Sequence, residues 1–284
     1  MPINTTAVGL ETEVYSFDIT ARQCLAFAAA LGETADVYFD DARSGGIVAM
    51  PAMTVALEWP PSRDIRIMPG FGATDMERLR GVHAAQDTHF HQPIRPGDKL
   101  SNRGRVISVE QIRPGARVIF RFDITDAAGK AVVTSYSTVI YRGVETIGSD
   151  LVGEVAPAWL GGDAPSAWAE TCIPIARGLP HVYSECADIW NPIHTEREVA
   201  LAAGLSDIIL HGTCTWALAL KTVVEVHANG DPVRLARFSG RFTGMVIPGS
   251  VITVRHGRVA GGACVEVIAA DGTAAISEGR AVFR

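Results

Sequence analysis

The chain has 284 residues, 48% of them hydrophobic and 20% charged, with a formal net charge of −6. Domains of roughly 100–200 residues are the norm, so this is one large domain or two small ones, with ample apolar material for packed cores. The acidic balance argues against a nucleic-acid binder, which needs a basic footprint, and no run of about 18 apolar residues marks a membrane span.

In chain order, Ala21–Leu31 predicts a helix of good helix formers, with Thr20 as N-cap and Gly32 as its stop. An apolar stretch, Ile47–Trp59, follows a loop and is expected to close at Pro60-Pro61. Strands are expected over Val82–Phe90, Lys99–Glu110, Arg117–Asp126 and Ala131–Tyr141, separated by turn chemistry such as Pro96-Gly97-Asp98 and Pro114-Gly115. Gly143–Arg177 is diluted by Gly, Pro and small polar residues and reads as a linker docked on the surface, with Trp159 and Trp168 as packing points.

The second half repeats this order. A helical stretch near Val182–Asp188 precedes Asn191-Pro192; Thr195-Glu196-Arg197-Glu198 has the pattern of a capping box opening a helix that ends at Gly204. A longer helix starts around Gly212-Thr213, with Thr213 as the expected N-cap. Strands follow over Arg234–Thr243, Val251–Val259, Ala263–Ala269 and Thr273–Phe283. Phe90–Asp98 and Phe242–Ser250 are alike, and each precedes a strand containing Gly-Arg-Val. A period of about half the chain signals duplication rather than a solenoid. The expected fold class is therefore α+β: one helix against a curved antiparallel sheet, made twice, over residues 1–142 and 178–284, with 143–177 as linker.

Chemistry concentrates in two segments, Tyr183 to His194 and Ile208 to Thr213. Asn191 before Pro192 is pushed away from helical backbone, so the chain bends between Asp188 and His194. A carboxylate and an imidazole on either side of such a bend are suited to sharing one water for acid–base work. His211-Gly212 then precedes a helix start, where free N–H groups and the helix dipole favour negative charge. His89 and His91 share a strand face, but with no third ligand in view no metal site is expected.

Asn191-Pro192-Ile193-His194, Ala202-Ala203-Gly204 and Ile209-Leu210-His211-Gly212-Thr213 resemble, in order and spacing, the signature of the MaoC-like (R)-specific enoyl-CoA hydratases of the hotdog superfamily. His83, Gln86 and Phe90 to Asp98 resemble the degenerate repeat of double-hotdog members. The resemblance covers most of the chain outside the linker. It implies two hotdog folds, with only the second catalytic, and reversible addition of water to a trans-2-enoyl-CoA to give an (R)-3-hydroxyacyl-CoA. Asp188 and His194 would hold the water, and the Gly212 N–H would bind the charge that develops on the thioester oxygen. Asn191 would fix the bend, with His211 and Thr213 in support.

One departure stands out. The family usually has one residue between the Asp and the Asn, whereas here there are two, Ile189 and Trp190. Aligned backwards from Asn191, Ile189 falls where the carboxylate belongs; a one-residue bulge would return Asp188 to the pocket. Glu185 is a poor substitute, one helical turn away. A hotdog acyl-CoA thioesterase and a non-catalytic acyl-CoA-binding module are the other readings. The expected partner is the acyl-CoA substrate, with no bound cofactor, no nucleic acid and no membrane.

The five cysteines, Cys24, Cys172, Cys186, Cys214 and Cys264, form no short pairs, which fits reduced thiols in the cytoplasm. No basic stretch followed by an apolar one appears in Met1–Glu13, so no signal peptide is expected. Unpaired sheet edges make a homodimer compatible with this fold.

Overall fold

The computed structural model describes residues 2–284. The elements are β1 (Ile3–Asn4), β2 (Tyr15–Asp18), α1 (Ala21–Ala30), α2 (Asp36–Phe39), α3 (Thr54–Ile65) and α4 (Asp75–Arg78). Then come β3 (Gly81–Phe90), β4 (Lys99–Ile112), β5 (Gly115–Asp126), β6 (Ala131–Arg142), β7 (Thr146–Ile147), β8 (Leu151–Val152) and β9 (Ala169–Pro174). The chain ends with α5 (Leu179–Ala187), α6 (Arg197–Ala202), α7 (Gly212–His227), β10 (Leu235–Phe242), β11 (Val251–Val259), β12 (Gly262–Ile268) and β13 (Ala274–Phe283).

Two compact units form. One gathers the chain up to Phe17, Leu57–His91 and Lys99–Trp159; the other gathers Asp18–Ala56, Gln92–Asp98 and Leu160–Arg284. These are not the halves drawn from sequence at 142 and 178. The helices α1 and α2 belong with the second unit, where Phe27 of α1 packs on Tyr183 of α5 with ring centroids 5.8 Å apart.

In the first unit the strands run in the order β2-β4-β5-β6-β3. Period-two alternation on β5 buries Val118, Phe120, Phe122 and Ile124, and β6 adds Val139 and Tyr141. Leu57–Ile65 of α3 supplies the helix, with Ile65 inside the same core as Phe71, Phe120 and Tyr141. This helix runs through Pro60 and Pro61, where sequence predicted a stop. Pro61 has no N–H for the carbonyl of Leu57, and the buried Asn102 side chain donates to that oxygen instead, at 2.8 Å. A long-range partner thus repairs what the proline removes.

In the second unit the order is β10-β13-β12-β11-β9, with antiparallel neighbours. Against this sheet lies α7, whose Trp216, Leu220 and Val223 are wholly buried. Each unit is a helix on an antiparallel sheet, so the fold is α+β and of the double-hotdog kind. The two alike segments turn alike: Gly97 and Gly249 both follow a proline with positive φ, 93° and 87°, just before β4 and β11.

The linker reading of 143–177 needs revision. Its end is β9, paired with β11 from Val251↔Pro174 to His256↔Ala169, and Arg255 lies 4.9 Å over the Trp168 ring. Small and β-branched residues here complete a sheet edge that local composition did not disclose. Among the described residues, no helix is long and apolar enough to cross a membrane.

Candidate active site

The site grows from the end of α5. Tyr183, Ser184 and Ala187 share its buried face, and the helix stops at Asp188, whose backbone is left-handed at φ 52°. Asp is among the few non-glycine residues that tolerate this conformation. The N–H groups of Asp188 and Ile189 both close onto the Ser184 carbonyl. The left-handed turn exposes Asp188, buries Ile189 to 5% exposure and leaves Trp190 at 59%. The extra residue therefore puts an isoleucine on the inside and the carboxylate on the outside.

Asn191 is extended, as a residue before proline should be, and its side chain caps the short 3-10 turn Pro192–His194. That turn delivers His194, half-buried, to the Ile209 carbonyl, which accepts a hydrogen bond from Nδ1 at 2.8 Å. With the proton on Nδ1, Nε2 of the neutral ring carries the free lone pair. Burial pushes His194 down to about 4, with only the Ile209 bond opposing it.

His194 stacks on His211, ring centroids 3.8 Å apart and planes 25° apart. His211 is 2% exposed, and its Nε2 meets the Ser184 hydroxyl at 3.1 Å. Its Nδ1 has no partner at good hydrogen-bond geometry, although the Ile189 backbone lies near enough to favour protonation slightly. Burial first, then the charge of His194, pushes His211 down to about 2. Both rings are therefore neutral at ordinary pH.

Gly212 is the first residue of α7, and among the described residues nothing accepts its N–H. A Cβ there would come within 3.2 Å of Phe242 Cδ1, so the glycine lets the helix start seat against that ring. The N-cap position falls to His211 without a side-chain cap bond, and not to Thr213. Thr213 instead accepts from the Tyr183 hydroxyl at 3.3 Å. The capping box at Thr195 does not form: Thr195 closes the 3-10 turn, and α6 starts after Glu196 with no side-chain cap.

The structure thus brings together His194, His211, the start of α7 and Thr213. It does not join Asp188 to His194: among the described residues no hydrogen bond or ion pair links the Asp188 carboxylate to anything. Sequence reasoning missed Ser184 and the Ile209 carbonyl. A lone hydroxyl on the apolar face of α5, beside Tyr183, was the available signal for Ser184. The Ile209 carbonyl had none, since any backbone oxygen could have served. Among the described residues, no three His, Cys, Asp or Glu side chains gather as metal ligands.

Residues 185–276 match the family described as MaoC like domain, and residues 6–135 the one described as FAS1-like, dehydratase domain region. The chain is similar to 3-hydroxyacyl-thioester dehydratase Y of Mycobacterium tuberculosis, 27% identical over 97% of this chain and 95% of that protein. It is likewise 27% identical to enoyl-CoA hydratase ChsH3 of the same organism, over 72% of this chain and 68% of the relative. Among solved structures, the MaoC-like dehydratase from Phytophthora capsici superposes with a TM-score of 0.86 at 20% identity, covering 99% of this chain and 98% of that one. That last likeness is one of fold.

Proposed function

We propose that the chain is a hydro-lyase of the MaoC-like dehydratase kind that reversibly adds water to a trans-2-enoyl-CoA, giving an (R)-3-hydroxyacyl-CoA; the matches over residues 185–276 and 6–135 support this reading. The relatives named for enoyl-CoA hydration and for 3-hydroxyacyl-thioester dehydration describe the two directions of that one reaction. The observation that carries the site assignment is His194: a neutral imidazole whose Nδ1 is engaged and whose Nε2 is the free base.

In this reading Nε2 accepts a proton from water as the water oxygen bonds to the β-carbon. Negative charge moves to the thioester oxygen, where the Gly212 N–H at the N-terminus of α7 receives it. A proton then reaches the α-carbon, and neutral His194 is restored. Asn191 fixes the bend that presents His194, and His211 and Thr213 support the helix start. Coenzyme A enters as part of the substrate. A cytoplasmic location, supported by five unpaired cysteines, belongs to the same proposal. So does a homodimer, which light scattering would report as twice the chain mass.

The test is loss of the conjugated enoyl absorbance when purified protein meets a short enoyl-CoA, with free thiol followed in parallel. Loss of absorbance without thiol supports the hydratase, and its disappearance in His194→Gln supports the site. Thiol release instead identifies a thioesterase, and neither signal, with the thioester still bound, a binding module.

A further inference from the structure

We infer that His194 alone carries proton transfer at this site, that the His211–Ser184 pair positions it, and that the Asp188 carboxylate lies outside the reaction. The inference rests on the hydratase reading and departs from the Asp188–His194 pair that the sequence suggested.

Three observations converge. The left-handed turn after α5 exposes Asp188, and the inward place next to it is held by the side chain of Ile189, which ionises at no pH. A carboxylate beside an imidazole ordinarily fixes the ring and its tautomer; here the Ile209 carbonyl does this, at 2.8 Å from Nδ1. One face of the ring is covered by His211, itself tied by Nε2 to Ser184 at 3.1 Å. Ser184 is also the residue whose carbonyl closes the turn that turns Asp188 away. One residue of α5 therefore both closes the turn at which Asp188 is exposed and anchors the ring that stacks on His194.

The electrostatics agree. A carboxylate close to His194 would favour the imidazolium and raise it. Instead burial drives it down, and no acidic group contributes. Beside the two rings lie Tyr183, whose ring is 5.1 Å from His211 and whose hydroxyl burial keeps protonated, and, acting on Tyr183, the buried Cys214, whose thiol burial likewise keeps protonated.

The proton count closes with one base. A water O–H bond breaks as the oxygen–β-carbon bond forms, and Nε2 takes the proton. The alkene electron pair shifts through the α-carbon towards the thioester oxygen. Nε2–H then returns a proton to the α-carbon, so water is added across the double bond on the face that His194 occupies.

The test is steady-state hydration of a short enoyl-CoA across pH by the wild type, Asp188→Asn, His194→Gln, His211→Asn and Ser184→Ala, each checked for folding by circular dichroism. Asp188→Asn should stay within about threefold of wild type, and His194→Gln should lose on the order of 100-fold or more. Ser184→Ala and His211→Asn should lower kcat with little change in KM and move the acidic limb of kcat up by about one pH unit, as His194 is relieved of burial. Ser184→Ala, which removes one oxygen, serves where His211→Asn does not fold. Asp188→Asn falling as far as His194→Gln overturns the inference while leaving the hydratase standing; so does an unmoved acidic limb in the folded positioning variants. A wild type that leaves the enoyl thioester unchanged overturns the hydratase reading, and this assignment with it.

Discussion

His194 and His211 lie face to face, ring centroids 3.8 Å apart, and each ring is anchored at its edge by a different element: His194 by the Ile209 carbonyl, His211 by Ser184 of α5. Stacking at this distance suits two neutral rings and penalises a charge on either, since each excludes water from the other. The geometry and the low pKa of both rings therefore have one cause.

The first prediction concerns protonation. His194, held down to about 4, is neutral through the physiological range, so the acidic limb of activity should lie near pH 4 rather than 6.5. For stability the sign follows from a depressed folded pKa. The contribution is full above about 6.5 and is lost as pH falls through about 4. Nitrogen-15 NMR of the histidines should find the Nδ1–H tautomer; an Nε2–H form, or a midpoint near 6.5, would contradict it.

A second prediction is Gly212→Ala. The new methyl, 3.2 Å from Phe242 Cδ1, must push the helix start or the ring, at a cost of about 1–3 kcal/mol. Because the displaced atom is the expected N–H donor, kcat should fall more than KM rises. Adding Phe242→Leu should recover thermal stability. Full activity in Gly212→Ala would remove that N–H from the mechanism.

The proline helix supplies a third. Asn102→Leu leaves the buried Leu57 carbonyl without a donor and should destabilise the chain by about 1–3 kcal/mol in urea titrations. Pro61→Ala restores an N–H one turn beyond Leu57. Combined with Asn102→Leu it should recover part of the loss, giving a clear coupling in a double-mutant cycle. Additive effects would show that the carbonyl finds another partner.

Glu58 supplies the fourth. It is 5% exposed, accepts from Ser135 Oγ at 2.6 Å and Gln86 Nε2 at 2.9 Å, and burial raises it from 4.5 to about 7 despite those bonds. A raised folded pKa means the contribution is full below about 4.5 and is lost as pH rises through about 7. The difference amounts to on the order of 3 kcal/mol at most. Glu58→Gln, of the same shape but without a proton to lose, should gain stability relative to wild type across that window. Parallel stability curves for the two proteins would show that Glu58 ionises freely in the fold.

Much of the fold was legible because its signals are local. The N-cap expected at Thr20 forms, and the structure adds Gln23 as the second half of a capping box; the alternation of β5 needs only neighbouring residues, and Asp126 and Gly129 make a tight turn, with Asp126 Oδ1 accepting from Ala128 and Lys130. Elsewhere local signals were overruled. Pro60-Pro61 did not end α3, because Asn102 of β4 donates to the Leu57 carbonyl. Thr195 did not open α6, because its backbone closes the 3-10 turn and its carbonyl accepts from His181 at 3.0 Å. The motif marked out the candidate site, but its spacing left open whether Asp188 or Ile189 faces inward.

By itself, then, the amino-acid sequence determined the duplicated helix-on-sheet plan, the bend at Asn191-Pro192 and the glycine at the head of α7. Each is written in residues whose backbone limits or hydrophobic period act within a few positions. Tertiary structure alone decided which side chain after α5 points inward, and what partners His194. A left-handed residue at Asp188 is chosen by what the next side chain can bury, and Ile189 gains by leaving water where a carboxylate would lose. The stack of His194 on His211 exists because separate segments meet at the start of α7, a contact no local pattern encodes.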